Sequence, residues 1–469
     1  MAGVIYTDKQ ENATHPSTHG RVFVTTPTTR TTITATTATA TTTTSTTATA
    51  LCLSRIDTKG FMVKLDDIIK AYKKARINKR RSDDQVDFEL HWQRNVAQLW
   101  RDVNNRTLRP TAYTFITLKP RPREIFACDM AMRVVHHYID MRLRPIIEAR
   151  LTDRTFNNRK GYGQTAAINQ LITDMYDVSK GFTHDAWIIK IDLKGYFPNA
   201  NQNIVHEQLE RLVLESYFGE DKEDLLYMIR CAVFSYPTQH CYRKSELWKW
   251  DKWIEPEKSL FSKPLGIGAA IGHLIWQNAM NYYLNDIDHR MIDECGLKYM
   301  RFVDDMVIVT DNKEVVLSML PEIRRRLAHY GCEMHPKKFY CQHYTKGVEF
   351  LGSHIKLDRV YPNKNLYGKA VTCVHHQNGG VNVERLNNFL SSVNSYFGIM
   401  KTRNGYGLLR NLYDKINDKW RWYIEFDKDR CCVVAKKEYS FHRLLAKKYN
   451  LKMKYYDTRR KEQKIKQAA

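Results

Sequence analysis

The sequence predicts an α+β fold built on an antiparallel sheet, and three observations carry that prediction. Short apolar, β-branched segments at 187–193 (WIIKIDL), 299–310 (YMRFVDDMVIVT) and 348–356 (VEFLGSHIK) read as strands. Amphipathic helical stretches separate them without the regular strand–helix alternation of a parallel sheet. Beyond about residue 383 the pattern turns almost wholly helical. The chain has 469 residues, 43% of them hydrophobic and 12% aromatic, so it has material for a large core and is too apolar to be disordered as a whole.

Taken in order, residues 25–50 are threonine and alanine with almost nothing large to bury, and 1–60 is expected to be a disordered N-terminal segment. A later start near Met62 is a second reading of the same prefix. From Leu65, LDDIIKAYKKARINKRR sets Leu65, Ile68, Ile69 and Tyr72 on one helical face opposite lysines and arginines. Lys79, Arg80 and Arg81 extend that charge, which suits either a solvated face or a phosphate backbone. A helical stretch follows around 88–103, then a strand in YTFITLKP (113–120) and a long helix from Met130 to Leu151. IVHEQLERLVLESYF places Val205, Leu209, Leu212 and Val213 on one stripe. The tail from Lys436 to Ala469 holds twelve Lys or Arg against three acidic residues.

Lysine and arginine number 74 against 51 acidic residues, a formal charge of +23, which makes nucleic acid the leading partner class. No run of 18 apolar residues occurs, and no basic region leads into an apolar segment at the N-terminus. The expectation is a soluble, intracellular protein without membrane association. The 10 cysteines never form C-x-x-C, which points to reduced structural thiols rather than a zinc site.

The chemistry concentrates where apolar strands carry aspartate, because a buried charge is costly unless something compensates it. Asp192 ends WIIKID, and Asp304 and Asp305 interrupt RFVDDMVIV. The arrangement expected is a β-hairpin whose tight turn carries the acidic pair, with Asp192 on the adjacent strand completing a cluster. Three converging carboxylates call for a cation, and oxygen ligands select Mg²⁺ or Mn²⁺. Two such ions would activate a 3′-hydroxyl and stabilise a leaving pyrophosphate.

F-V-D-D between apolar arms, downstream of I-D-L-K-G-Y-F-P, resembles the palm of reverse transcriptases. The resemblance implies a right-hand polymerase with fingers at 61–185, palm at 186–360 and a helical thumb with a basic tail at 361–469. It assigns Asp192, Asp304 and Asp305 to catalysis and metal binding, and Phe197 to a position beneath the sugar that excludes a 2′-hydroxyl and favours dNTPs. RPREIFACDMAMRVVHHYI (121–139) resembles the fingers segment of diversity-generating retroelement enzymes, with Arg123 and Arg133 at its basic positions, suited to triphosphate or template phosphate. His136 and His137 read as packing residues. FNNRKGYGQTAAIN (156–169) resembles the next block, a glycine turn near the template backbone.

KPLGIGAAIGHLIWQ (263–277) matches the block at the nascent base pair, with Ile271, Gly272 and Gln277 in place. Trp276 stands where the family has serine, which argues against the family's misreading of template adenines. In HPKKFYCQHYTKGVEFLG (335–352), Lys337 or Lys338 would neutralise pyrophosphate, and Phe350, Leu351 and Gly352 resemble the primer grip. The implied function is RNA-directed DNA synthesis with two Mg²⁺ ions, or Mn²⁺, in the cytoplasm of a bacterial or phage-infected cell. The implied partners are a structured template RNA, a cDNA or RNA primer, dNTPs and a small helical accessory protein. Retroelement-driven diversification of a target gene is the first biological reading, and anti-phage defence on the enzyme's own noncoding RNA is the second. A non-catalytic RNA-binding or splicing-assistance protein would be expected to have lost its acids, and here all three are present with Phe197. No integrase, protease or RNase H signature is evident.

Overall fold

In the computed structural model, residues 63–77, 83–117 and 122–440 are described. The Thr/Ala-rich prefix, Met62, Lys79–Arg81, residues 118–121 and most of the basic tail lie outside them. Helix α1 (Leu65–Ala75) buries Ile68, Ala71, Tyr72 and Ala75. Its stripe sits one turn later than the sequence suggests, and Leu65 is exposed. The single helix expected over 88–103 is two, α2 (Asp83–Leu90) and α3 (Trp92–Asn104), separated at His91, whose backbone is not helical.

Strands β1 (Ala112–Thr117) and β2 (Arg123–Cys128) pair antiparallel. Asp129 caps α4 (Met130–Arg150) by accepting from Met132 N at 2.7 Å. Next come β3 (Thr155–Phe156), α5 (Gln164–Val178), β4 (Trp187–Lys194) and α6 (Gln202–Ser216), whose buried stripe is the predicted Val205, Leu209, Leu212 and Val213 together with Gln202. Helix α7 (Lys222–Val233), β5 (Cys241–Arg243), α8 (Trp248–Trp253), α9 (Leu274–Tyr283) and α10 (Asn285–His289) lead to the hairpin of β6 (Lys298–Phe302) and β7 (Asp305–Thr310). Then follow α11 (Lys313–His329), β8 (Glu333–His343), β9 (Val348–Phe350), β10 (Ser353–Ile355) and β11 (Val360–Pro362). Helices α12 (Lys364–Asn378), α13 (Leu386–Lys401), α14 (Tyr406–Asp414) and α15 (Asp418–Arg421) precede a last hairpin, β12 (Ile424–Asp427) and β13 (Cys432–Ala435).

The central sheet runs β3-β6-β7-β4-β8, antiparallel except for the β3–β6 edge. Strand alternation divides its apolar residues between two cores. Ile189, Ile191, Met306 and Ile308 join the largest core with α4, α6, α9 and α11. Ile188, Val307 and Val309 meet Ile168, Leu171 and Met175 of α5. The α+β expectation holds, with antiparallel pairing dominant.

The C-terminal region is less uniformly helical than its sequence suggests. The β12–β13 hairpin buries Ile424 and Val433 in a third core with Phe389 and Trp420. Two four-residue strands are too short to stand out from the helical pattern around them. Among the described residues no helix is long and apolar enough to cross a membrane, and no disulfide joins the cysteines.

Candidate active site

The hairpin forms where the sequence puts it, but its turn carries only Asp304, because the ladder extends one residue further than expected and Asp305 opens β7. Phe302 pairs with Asp305, leaving Val303 and Asp304 as a two-residue turn between β6 and β7. Val303 lies at φ +60°, a position that hairpins of this kind usually fill with glycine. A β-branched residue there costs about 1–3 kcal/mol and persists only when its surroundings over-determine it. Arg301 supplies the restraint: its Nη1 donates to the Val303 carbonyl at 3.1 Å. This guanidinium is fully buried, pairs through Nε and Nη2 with Asp288 at 2.8 and 2.6 Å, and donates to Asn281 O at 2.7 Å. Asp288 also accepts from Tyr299 Oη and Thr155 Oγ1, so the buried charges are fully engaged.

Asp192 faces Asp305 across the β4–β7 ladder, and Leu193 N donates to Asp304 O at 3.1 Å. Like charges opposite one another destabilise a sheet, and two lysines offset them. Lys190, two residues before Asp192 and therefore on the same face, places Nζ 3.4 Å from Asp305 Oδ1. Lys338 Nζ reaches Asp192 Oδ1 at 2.8 Å. A bulge delivers it: Phe339 pairs with Ile191 and Met334 with Leu193, so His335 to Lys338 all stand opposite Asp192. Lys337 is exposed on the same bulge.

Burial, reinforced by the charges of Asp305 and Asp192, pushes the Asp304 carboxyl up to about 6, with Arg123 acting in the opposite direction. Burial also raises Asp305, against the pull of Lys190. Arg123, exposed at the start of β2, therefore lies within electrostatic reach of the site. Arg133 does not join it: its charge acts on Asp84, Cys128, His136 and His273. His136 and His273 are buried ring neighbours, 5.1 Å apart between centroids, in keeping with a packing role for His136.

The turn after β4 docks onto the 263–272 loop. Phe197 O accepts from Ala269 N at 2.8 Å and Ala200 O from Gly268 N at 2.7 Å. Phe197 is half-buried, edge-on to the buried Tyr196. Ile271 O accepts from Phe126 N at 2.7 Å, which ties the loop to β2. Gly272 lies at φ +118°, and a Cβ there would stand 2.2 Å from Phe126 O. Gly272→Ala is therefore expected to destabilise the protein by more than about 2 kcal/mol, read as a lowered urea midpoint, because neither backbone can give way. Gln277 is exposed on α9, whereas Trp276 is 2% exposed and belongs to the main core. The indole replacing the family serine thus packs into the main core.

Phe350 is buried, while Leu351 (φ +47°) and Gly352 (φ +74°) form the two-residue turn joining β9 to β10. Lys190 Nζ also lies 3.4 Å from Glu349 O, which sets this hairpin beside the carboxylates.

Oxygen donors of this kind suit Mg²⁺ or Mn²⁺. Asp305 Oδ1 is buried with no hydrogen bond of good geometry, as a ligand atom awaiting a cation would be. The expected convergence is incomplete, however. Among the described residues no three acidic, imidazole or thiol side chains already surround one metal position. Lys338 and Lys190 neutralise Asp192 and Asp305 instead. Sequence reasoning missed Lys190 and the Arg301–Asp288 pair, although alternation along WIIKID and YMRF carried the signal for both lysine and arginine.

Residues 117–355, just over half of the chain, match the family described as reverse transcriptase (RNA-dependent DNA polymerase), and the chain belongs to that family. Among solved structures it is similar to apo telomerase from Candida tropicalis truncated from its C-terminal domain. That match has 14% identity and a TM-score of 0.40, over 54% of this chain and 55% of that one. Telomerase from Candida albicans, in complex with a TWJ fragment of telomeric RNA, matches at 12% identity and TM-score 0.40, over 70% and 59%. The chain thus spans less than two thirds of these telomerases' length. A search of curated proteins gave no match.

Proposed function

We propose that this chain is an RNA-directed DNA polymerase that extends a primer on an RNA template. The observation that carries the reading is Asp192 opposite Asp305, with Asp304 in the adjoining turn, inside the family segment. Asp192, Asp304 and Asp305 would hold the divalent ions. When bound, these supply charge stabilisation at the attacking and leaving oxygens. Burial raises both Asp304 and Asp305, so protons would compete with metal at each. Lys338, released from Asp192, has an exposed ammonium suited to the leaving pyrophosphate, with Lys337 beside it. Arg123 is suited to the triphosphate by its fork of donors. Phe197 would select the deoxyribose. The backbone at Ile271–Gly272 would border the nascent pair, with Gln277 nearby, and the Phe350–Gly352 turn would steady the primer. A triphosphate role for Arg133 has less support, given its surroundings.

Because Asp304 ionises near pH 6, protons compete with metal below that value. The Mg²⁺ concentration needed for half-maximal extension is expected to rise about tenfold for each pH unit below about 6 and to level off above it. A Mg²⁺ titration at several pH values checks this. RNA affinity should also fall steeply between low and moderate salt, measured by filter binding, since a chain of charge +23 releases counterions from phosphate.

The biological role we favour is copying of a structured RNA into cDNA that diversifies a target gene, in a bacterial or phage-infected cell, with a small helical accessory protein as partner. Trp276, the departure that argues against adenine-directed misreading, is buried in the main core, so the sequence of the product decides the point. Deep sequencing of cDNA recovered with the protein from its native locus, beside an Asp304→Ala/Asp305→Ala control, tests the proposal. Adenine-specific substitutions in repeat-like products support diversification. Faithful or repetitive cDNA from a noncoding RNA would replace it with a defence role, and no difference from the control would remove the polymerase reading.

A further inference from the structure

A cavity of about 300 Å³ lies alongside the first two turns of α5, and none of Asp192, Asp304 and Asp305 lines it. Thr165 and Asn169 of α5, Arg359 of the β10–β11 turn, and Thr402, Arg403 and Asn404 of the loop after α13 contribute its polar wall. Arg403 is the unusual member. It is 5% exposed, yet no carboxylate pairs with it among the described residues. Its Nη2 donates to two neutral oxygens, Gln164 Oε1 at 3.2 Å and Leu351 O at 2.8 Å, and its buried Nε donates to nothing. Asp358, also on the wall, is engaged by Arg359 at 2.9 Å. Burying a guanidinium without a counter-charge is unfavourable, and burial pulls Arg403 below its ordinary range with no acid to offset it.

We propose that this cavity is an anion site that takes a phosphate group on Arg403 and Arg359, with Asn169, Thr165 and Thr402 as neutral hydrogen-bonding partners. Arginine's planar fork binds two phosphate oxygens at once, and the volume admits a phosphate with part of the molecule that bears it. Two sources share this chemistry: a phosphodiester of bound nucleic acid and a free phosphate compound. The site needs no polymerase activity, so its failure and the failure of the catalytic reading are separable.

The test uses the full chain. Inorganic phosphate is titrated by calorimetry and thermal unfolding at constant ionic strength, with chloride as the balancing ion. Alongside it, binding of a primer–template duplex is measured across a salt series. The variants are Arg403→Lys, Arg359→Ala on the exposed turn, and Asn169→Leu, which fills the groove without changing charge. Arg359→Ala and Asn169→Leu keep the test valid if Arg403→Lys fails to fold. Saturable phosphate binding that weakens about tenfold or more in Arg359→Ala and Asn169→Leu supports the site with a free anion as occupant. An absent phosphate effect, with the slope of log affinity against log salt reduced by about one in both variants, supports it with a phosphodiester as occupant. Phosphate binding equal in all proteins, or no phosphate binding and an unchanged slope, overturns it.

Discussion

Asp304→Asn is expected to abolish primer extension while making the metal-free protein more stable. Bound divalent ions supply several kcal/mol of charge stabilisation, and each 1.4 kcal/mol is tenfold, so losing one carboxylate ligand should cost about 10³-fold or more in rate. Stability moves the other way because burial holds this carboxyl near 6 against an ordinary 3.8. The folded chain then binds more protons than the unfolded chain between those two values, so stability falls as pH rises through that window, and the penalty is complete above about 6. A neutral amide escapes it, with a gain of up to about 3 kcal/mol at pH 7.5 that vanishes below about pH 4. Primer extension together with urea unfolding at pH 4 and pH 7.5, without metal, checks both halves. A variant that loses activity and stability together would mean that Asp304 is a structural residue.

The aspartates were legible because a charge inside an apolar strand is costly, and the turn and its neighbouring strand follow from hairpin pairing. The same argument applies to Arg301, which occupies a core-facing position in YMRFVDD, yet its partner Asp288 lies in a short helix that no local pattern connects to it. Lys190 shares a face with Asp192 by simple alternation, but its importance depends on the register that sets Asp192 against Asp305. Lys338 could be read as a basic residue near the site. That it reaches Asp192 depends on a bulge facing four residues to one, which a sequence cannot announce. Arg133 shows the converse. It occupies a motif position in a linear string, but its place on the first turn of α4 turns it toward Asp84 and Cys128. Short-range chemistry was legible, whereas side-chain direction across elements far apart in sequence was not. The β12–β13 hairpin was hidden for a related reason: its four-residue strands owe their stability to Phe389 and Trp420 in neighbouring helices.

Arg301→Met tests whether the catalytic turn is held from behind. Alone, the substitution strands Asp288 as a buried charge without its counter-ion, and about 3–5 kcal/mol of stability should be lost, seen as a much lower urea midpoint. Adding Asp288→Leu removes the stranded charge, and replacement of a whole buried pair by apolar residues is often nearly neutral, so the double variant should recover most of that stability. Activity is not expected to return with it. The Val303 carbonyl has lost the donor that opposed its left-handed backbone, and about 1–3 kcal/mol of local strain is then free to relax the turn that carries Asp304. The double variant should fold well, bind RNA normally and extend primers at least about tenfold more slowly, with a raised Mg²⁺ requirement. Full activity in the stable double variant would show that the ion pair serves the core alone. A stable but slow enzyme would mean that the buried charges are kept for the geometry of one turn, at a stability cost that an apolar core would not incur.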